Sequence, residues 1–213
     1  MSKYHHIQLL LQRYPELAIC EKSLHNAVDA WIDAYKKRNK LLICGNGGSA
    51  ADADHIVGEL MKGFVKKRPL SKDFAAKLKA LNSVEGEYLA RHLQMPLRAI
   101  NLSQHPSLNT AFSNDAESVL CYAQQVLGYA DSGDIFIGIS TSGNSENICM
   151  AALVAKEKDA VVVALTGENG GRLGEISDIL ISVPRVETYQ IQELHLPVYH
   201  ALCLEVESHF FAE

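Results

Sequence analysis

Over residues 1–39 the apolar positions recur at helical spacing. Ile7, Leu10, Leu11 and Tyr14 repeat every three or four residues until Pro15 interrupts. Leu17, Ile19, Leu24, Ala27, Val28, Trp31, Ile32 and Tyr35 then continue on broadly one side. The run closes on Lys36-Lys37-Arg38, which suits the negative end of a helix dipole, and Asn39 fits the left-handed residue that often follows. The pattern then changes. Leu41–Cys44 is a short, continuous apolar run stopped by Gly45, and Leu97–Leu102, Ile135–Ile139, Val161–Leu165 and Ile179–Val183 resemble it. Continuous rather than alternating hydrophobicity predicts strands buried on both faces, as in a parallel sheet. Helical patterns lie between them, at about 48–63, 115–129, 144–158 and 188–210. Alternating strands and helices predict an α/β fold: a doubly wound three-layer sandwich around a five-stranded parallel sheet, with N-terminal helices. No internal repeat or low-complexity linker divides residues 1–213, so one domain is expected.

Residues 66–96 exceed what a crossover needs. SKDFAAKLKAL reads as a helix with Ser71 as N-cap, and EGEYLARHL as a second short helix. This helical insert is open to three readings: a lid, an oligomer contact or decoration.

Composition narrows the functional classes. Hydrophobic residues make up 47% of the 213, enough for a sizeable core. A net charge of −5 argues against nucleic acid and against an anionic membrane as partner. The five cysteines are scattered and form no C-x-x-C, which reads as a reducing compartment. The start of the chain has no signal-peptide pattern, and no stretch is long and apolar enough for a membrane span. A cytoplasmic location is expected.

Ligands of doubly wound sheets bind at the carboxyl ends of strands. Two such ends here carry anion-holding residues. Gly45-Asn46-Gly47-Gly48-Ser49 follows the first strand, Ser140-Thr141-Ser142-Gly143-Asn144-Ser145 follows the third, and each leads into a helix. Glycines let the backbone approach a ligand, while hydroxyls and free N–H groups at a helix N-terminus favour a phosphate. One such turn commonly serves only to connect; two in one chain are a much stronger signal. No Lys follows either loop and no G-x-G-x-x-G is present, so no nucleotide cofactor is expected.

The helix after the first loop carries His55 and Glu59, four apart and on one face. Such a pair can bind a metal or move protons, although alone it is more often a surface ion pair. The last helix carries Gln192, His195 and His200 in IQELHLPVYH. Either histidine could simply cap or hydrogen-bond within the fold.

CGNGGSAADADHIVGEL, GISTSGNSENI and IQELHLPVYH, in that order, resemble the signature segments of the SIS (sugar isomerase) superfamily, in its phosphoheptose isomerase branch. The resemblance implies a homotetramer that interconverts sedoheptulose 7-phosphate and D-glycero-D-manno-heptose 7-phosphate, with active sites between subunits. It implies that Asn46, Gly47, Gly48, Ser49, Glu59, Asn114, Asp115 and Gln192 hold substrate, and that Ser140, Thr141, Ser142 and Ser145 hold its phosphate. It further implies zinc on His55, Glu59, Gln192 and His200, with Glu59 and His200 as base and acid. Tyr189 stands where those enzymes often carry Asp, and LMKGFVKKRP replaces a Gly-Arg-Tyr type of segment. Gln192 and His200 are eight residues apart, roughly 12 Å along a straight helix. Either a neighbouring chain supplies His200 or Pro197 bends the helix. The alternative is a non-catalytic SIS protein binding a sugar phosphate or a replication-initiator protein. Glu59 weighs against it, because the initiator-binding branch lacks a carboxylate there.

Overall fold

The computed structural model describes residues 4–211. Strands β1 (Leu41–Gly45), β2 (Ala99–Asn101), β3 (Ile135–Ser140), β4 (Val161–Thr166) and β5 (Ile179–Ser182) form one parallel sheet in the order β2-β1-β3-β4-β5. Helices α1 (His5–Arg13), α2 (Glu21–Lys36) and α3 (Gly48–Met61) come first, then α4 (Lys72–Leu81), α5 (Glu85–His92) and α6 (Pro106–Asp115). They are followed by α7 (Cys121–Tyr129), α8 (Glu146–Glu157), α9 (Gly171–Ile176) and α10 (Thr188–Phe210).

The continuous apolar strands serve two cores. Leu41 and Ile43 of β1, Ile135, Ile137 and Ile139 of β3, and Val163 and Leu165 of β4 face α1, α2, α3 and α10. Leu42, Cys44, Phe136, Val162 and Ala164 face α7, α8 and α9 on the other side. Successive side chains of a strand point to opposite faces, so a sheet covered on both sides needs no polar alternation. Each fully buried Leu, Ile or Phe contributes about 1.5–3 kcal/mol. All five cysteines are free and buried. Among the described residues no helix is long and apolar enough to cross a membrane.

Several elements differ from the sequence pattern. The helix expected over 115–129 is α7 alone, starting at Cys121 after a 3-10 turn at Ser118–Leu120, and α6, which ends at Asp115, is an additional helix. α6 begins at Pro106 and buries no side chain, so it carries no apolar period. α9 is short, has two glycines and buries only Leu173, which left little to read. β2 is shorter than Leu97–Leu102: the chain turns after Asn101, whose Oδ1 accepts from the Ser103 N–H at 2.9 Å. Ile19 falls in a 3-10 turn (Pro15–Cys20) that shifts the helical phase, and it is 77% exposed. The left-handed residue after α2 is Arg38, with φ 65°, rather than Asn39. The Asn39 side chain is occupied elsewhere, donating to Ser132 O at 2.9 Å and to buried Asp134 Oδ1 at 3.1 Å.

The 66–96 segment folds as expected into α4 and α5. Ser71 Oγ caps α4, accepting from the Phe74 N–H at 3.3 Å. The two helices pack on each other and bury only Gly86. An antiparallel bridge between Pro69 and Gln94 pins their base. Below that base, Arg68 and Glu207 form a fully buried ion pair at 2.7 Å. Glu207 also accepts from the backbone N–H groups of Phe64, Val65 and Lys66, while Arg68 donates to the carbonyls of Glu59 and Leu60. The end of α3 is thereby tied to α10.

Candidate functional site

The first loop turns at Gly47, whose φ of 55° favours glycine. A Cβ on Gly48 would lie 2.5 Å from the Gln192 amide nitrogen, so glycine leaves that side chain room to reach the loop. Neither Gly47 at the start of α3 nor Ser145 at the start of α8 caps its helix with a side chain, although the Ile148 N–H of α8 donates to Asn147 Oδ1 at 3.0 Å. The two loops meet over a cavity of about 310 Å³. Asn46, Gly47, Gly48 and Ser49 line one wall, Ser140, Thr141 and Ser145 the other, and Gln192 closes it. Ser140 and Ser145 share a hydroxyl–hydroxyl bond of 2.9 Å. A phosphate would meet a rim of small polar groups at two helix N-termini.

The structure leaves some expected residues outside this cavity. Ser142 Oγ accepts from the Asn144 N–H at 3.1 Å, which uses its hydroxyl to shape the turn. Asn114 and Asp115, at the end of α6, are exposed and bond to each other at 2.8 Å. Tyr189 is 60% exposed and does not line the cavity, whereas its neighbour Thr188 does.

Thr188, Ile139 and Asn147 had no local signal in the sequence. Asn46 and Asn147 exchange two amide bonds of 2.9 Å each, joining the loops. Only the spatial meeting of residues about a hundred positions apart reveals this.

The second group of residues lies further along α3. Gly48 meets Gln192 while His55 meets His200, so α3 and α10 run side by side in the same direction. His55 Nε2 lies 3.2 Å from Glu59 Oε1 and 3.5 Å from His200 Nε2. Lys62 Nζ holds the other Glu59 oxygen at 2.8 Å. Burial, and then the neighbouring His55, push the His200 pKa below its usual value, opposed by Glu59. Behind His55, Tyr199 Oη lies 3.0 Å from Nδ1 and donates to Asp52 Oδ1 at 3.3 Å. Burial pushes the Tyr199 and Asp52 pKa values up.

His200 reaches this group within its own chain, with Pro197 inside an unbroken α10. A single chain therefore needs neither a neighbour's His200 nor a broken helix. Gln192 is two turns earlier, in the loop cavity, so the expected four ligands divide into three and one. Two imidazoles and a carboxylate are a zinc-type donor set, and lone pairs this close call for a proton or cation among them. Among the described residues, however, no three or more His, Cys, Asp or Glu side chains are set ready to hold a metal. His195 has a structural place: fully buried, it donates from Nε2 to Thr166 O at 3.2 Å, and burial lowers its pKa to about 4.

Comparison with known proteins gives the lineage. The SIS domain family matches residues 5–94 and 88–167. A phosphoheptose isomerase of Nitratiruptor is 39% identical over 84% of this chain and 82% of its own. One from Helicobacter hepaticus is 36% identical over 93% and 88%. The solved phosphoheptose isomerase of Neisseria gonorrhoeae superposes with a TM-score of 0.74 at 30% identity, covering 96% of both chains. With its two loops, its sheet order and its His/Glu helix, this chain belongs to the SIS-domain family, in the phosphoheptose isomerase branch, and is an isomerase.

Proposed function

We propose that the chain interconverts sedoheptulose 7-phosphate and D-glycero-D-manno-heptose 7-phosphate. The observation that carries this reading is one helix, α3, that starts in the phosphate-type loop and bears His55 and Glu59, with His200 beside them. Ser49 and His55 are six residues apart, about 9 Å along the axis. That span suits a long sugar with phosphate at one end and the reacting carbons at the other. Aldose–ketose interconversion moves a proton between C1 and C2 through an enediol(ate), which needs a base at carbon and an acid at oxygen. Glu59 is the base; its pairing with Lys62 and His55 keeps the carboxylate in place. His200 handles the proton at oxygen. Gln192 and the loop residues orient the sugar phosphate.

The zinc reading also belongs to this proposal. His55, Glu59 and His200 would hold the ion, with Gln192 outside their group in a single chain. Bound there, zinc would polarise the sugar's oxygens. The assembly reading is a homotetramer. Asn114 and Asp115 are exposed, do not line their own chain's cavity and would serve a neighbour's site.

The test is incubation with sedoheptulose 7-phosphate in deuterated water. Deuterium at the exchanging carbon and formation of the aldoheptose phosphate are expected. Glu59→Gln should reduce turnover about 100- to 10,000-fold. Tight binding of the sugar phosphate with no exchange by metal-replete protein would overturn the reading in favour of a binding protein. Mixing Glu59→Gln with Asp115→Ala chains tests the shared site, since only mixed assemblies would regain activity.

A further inference from the structure

Asp52 and Tyr199 do not enter the mechanism above, yet both touch His55 or its partner. Tyr199 is 1% exposed, and a buried phenol costs stability unless its hydroxyl is bonded. Its hydroxyl has two polar neighbours, Asp52 Oδ1 at 3.3 Å and His55 Nδ1 at 3.0 Å. Asp52 Oδ2 is buried with no hydrogen-bond partner among the described residues. Tyr199 is therefore the hydrogen-bond partner of this carboxylate among the described residues.

With Asp52 ionised and accepting from Tyr199, counting protons gives this chain of bonds a direction. A phenol has one proton. Tyr199 donates it to Asp52, so its oxygen can only accept from His55. The proton of that second bond must sit on Nδ1. A neutral imidazole carries one N–H, so Nε2 is left bare, and Nε2 is the atom facing Glu59 and His200.

We propose that Asp52 and Tyr199 are positioning residues that hold His55 as the Nδ1–H tautomer, presenting the Nε2 lone pair to Glu59 and His200. The arrangement gives the site a fixed acceptor where a proton, a substrate hydroxyl or a cation can be received. It also locks the ring's orientation, because rotation would break the Tyr199 bond. The tautomer assignment stands on geometry alone; its effect on turnover rests on the isomerase reading.

The test uses the whole metal-free protein with 15N-labelled histidine in mildly alkaline buffer. Long-range proton–nitrogen NMR spectra separate a protonated ring nitrogen from a bare one. In the wild-type protein His55 should show a protonated Nδ1 and a bare Nε2. Tyr199→Phe keeps the ring and removes the hydroxyl, so the Nε2–H form should take over. Asp52→Ala leaves the hydroxyl but removes its acceptor, so the Tyr199 proton turns to Nδ1 and the same change should follow. This second variant decides the matter should Tyr199→Phe fail to fold.

In steady-state kinetics each variant should lose about 10-fold in kcat with KM within about twofold, the scale seen when a partner that orients a functional histidine is removed. A wild-type His55 protonated on Nε2 would overturn the proposal. So would variants that keep the Nδ1–H form, or a rise in KM at unchanged kcat. If the wild type turns over no ketose phosphate, the isomerase reading fails while the NMR arm still decides the tautomer.

Discussion

α10 and the α4–α5 hairpin were equally legible as helices, but they do different work. α10 buries twelve side chains, from Ile191 to Glu207, and meets α1, α2 and α3. It also brings Gln192 to one end of the site and His200 to the other. The hairpin buries one glycine, and Phe74, Leu81, Val84 and Tyr88 are all exposed. Helical periodicity reports that a face is apolar; it does not report what that face meets. Position in the fold separates the two elements: α10 lies along the sheet, whereas the hairpin stands on the Pro69–Gln94 bridge.

The sharpest test of that contrast removes the tie beneath the hairpin. Glu207→Ala leaves the buried Arg68 guanidinium and three backbone N–H groups unmatched, and should cost about 3–5 kcal/mol in urea denaturation. Gly48→Ala comes next. Its methyl group would displace the Gln192 amide, which is the end of a flexible side chain and can move aside, so stability should fall by no more than about 1 kcal/mol. Weaker phosphate affinity should accompany the loss, read by calorimetry with inorganic phosphate.

Acid should act on the same side of the molecule. Burial opposes ionisation of Glu207, but the N–H groups of Val65 and Phe64 and the Arg68 guanidinium outweigh it and hold its pKa below the usual 4.5. For Asp134, Lys40 and backbone N–H groups likewise outweigh burial and hold the pKa below 3.8. Both folded values are depressed, so the stability they contribute is present above the usual carboxylate range. It is lost as pH falls through the lower folded values. Melting temperature should begin to fall below about pH 6.5, where the unfolded chain protonates His195 and the folded chain, with its pKa at about 4, does not, and should fall further below about pH 4 as the carboxylates protonate. Glu207→Gln should make that drop shallower.

The smallest effect is expected in the hairpin. Replacing residues 72–92 with a short Gly/Ser linker should leave the denaturant midpoint nearly unchanged, because the bridge already holds the ends together. Leu81→Ser should change stability by less than about 0.5 kcal/mol. A large loss from either change would show that the hairpin supports the fold as α10 does.

The parts that were readable share a cause. Leu41–Cys44 and Ile135–Ile139 announce buried strands because each residue meets a core. GNGGS and STSGNS announce a phosphate rim because glycine and hydroxyl chemistry is local. His55 and Glu59 could be paired because a helix sets their spacing. What escaped depends on contacts between distant segments. Ser142 has the same hydroxyl as Ser140, yet its place in the turn gives that hydroxyl to Asn144. The Tyr199 hydroxyl finds Asp52 across 147 positions, and no pattern along the chain encodes that meeting. Even the left-handed residue is one position earlier, at Arg38, while the Asn39 side chain bonds Ser132 and Asp134 in the turn before β3, more than ninety residues away.

The paired amides of Asn46 and Asn147 have a consequence for how a ligand is received. Each loop alone would sample several shapes, and closing them round an anion would then carry an ordering penalty. Clasped together by these two bonds, the loops have fewer shapes open to them before anything arrives. Affinity gained there goes into the phosphate itself rather than into gathering the protein. The opposite end of the ligand can then be handed to the histidines at a constant distance.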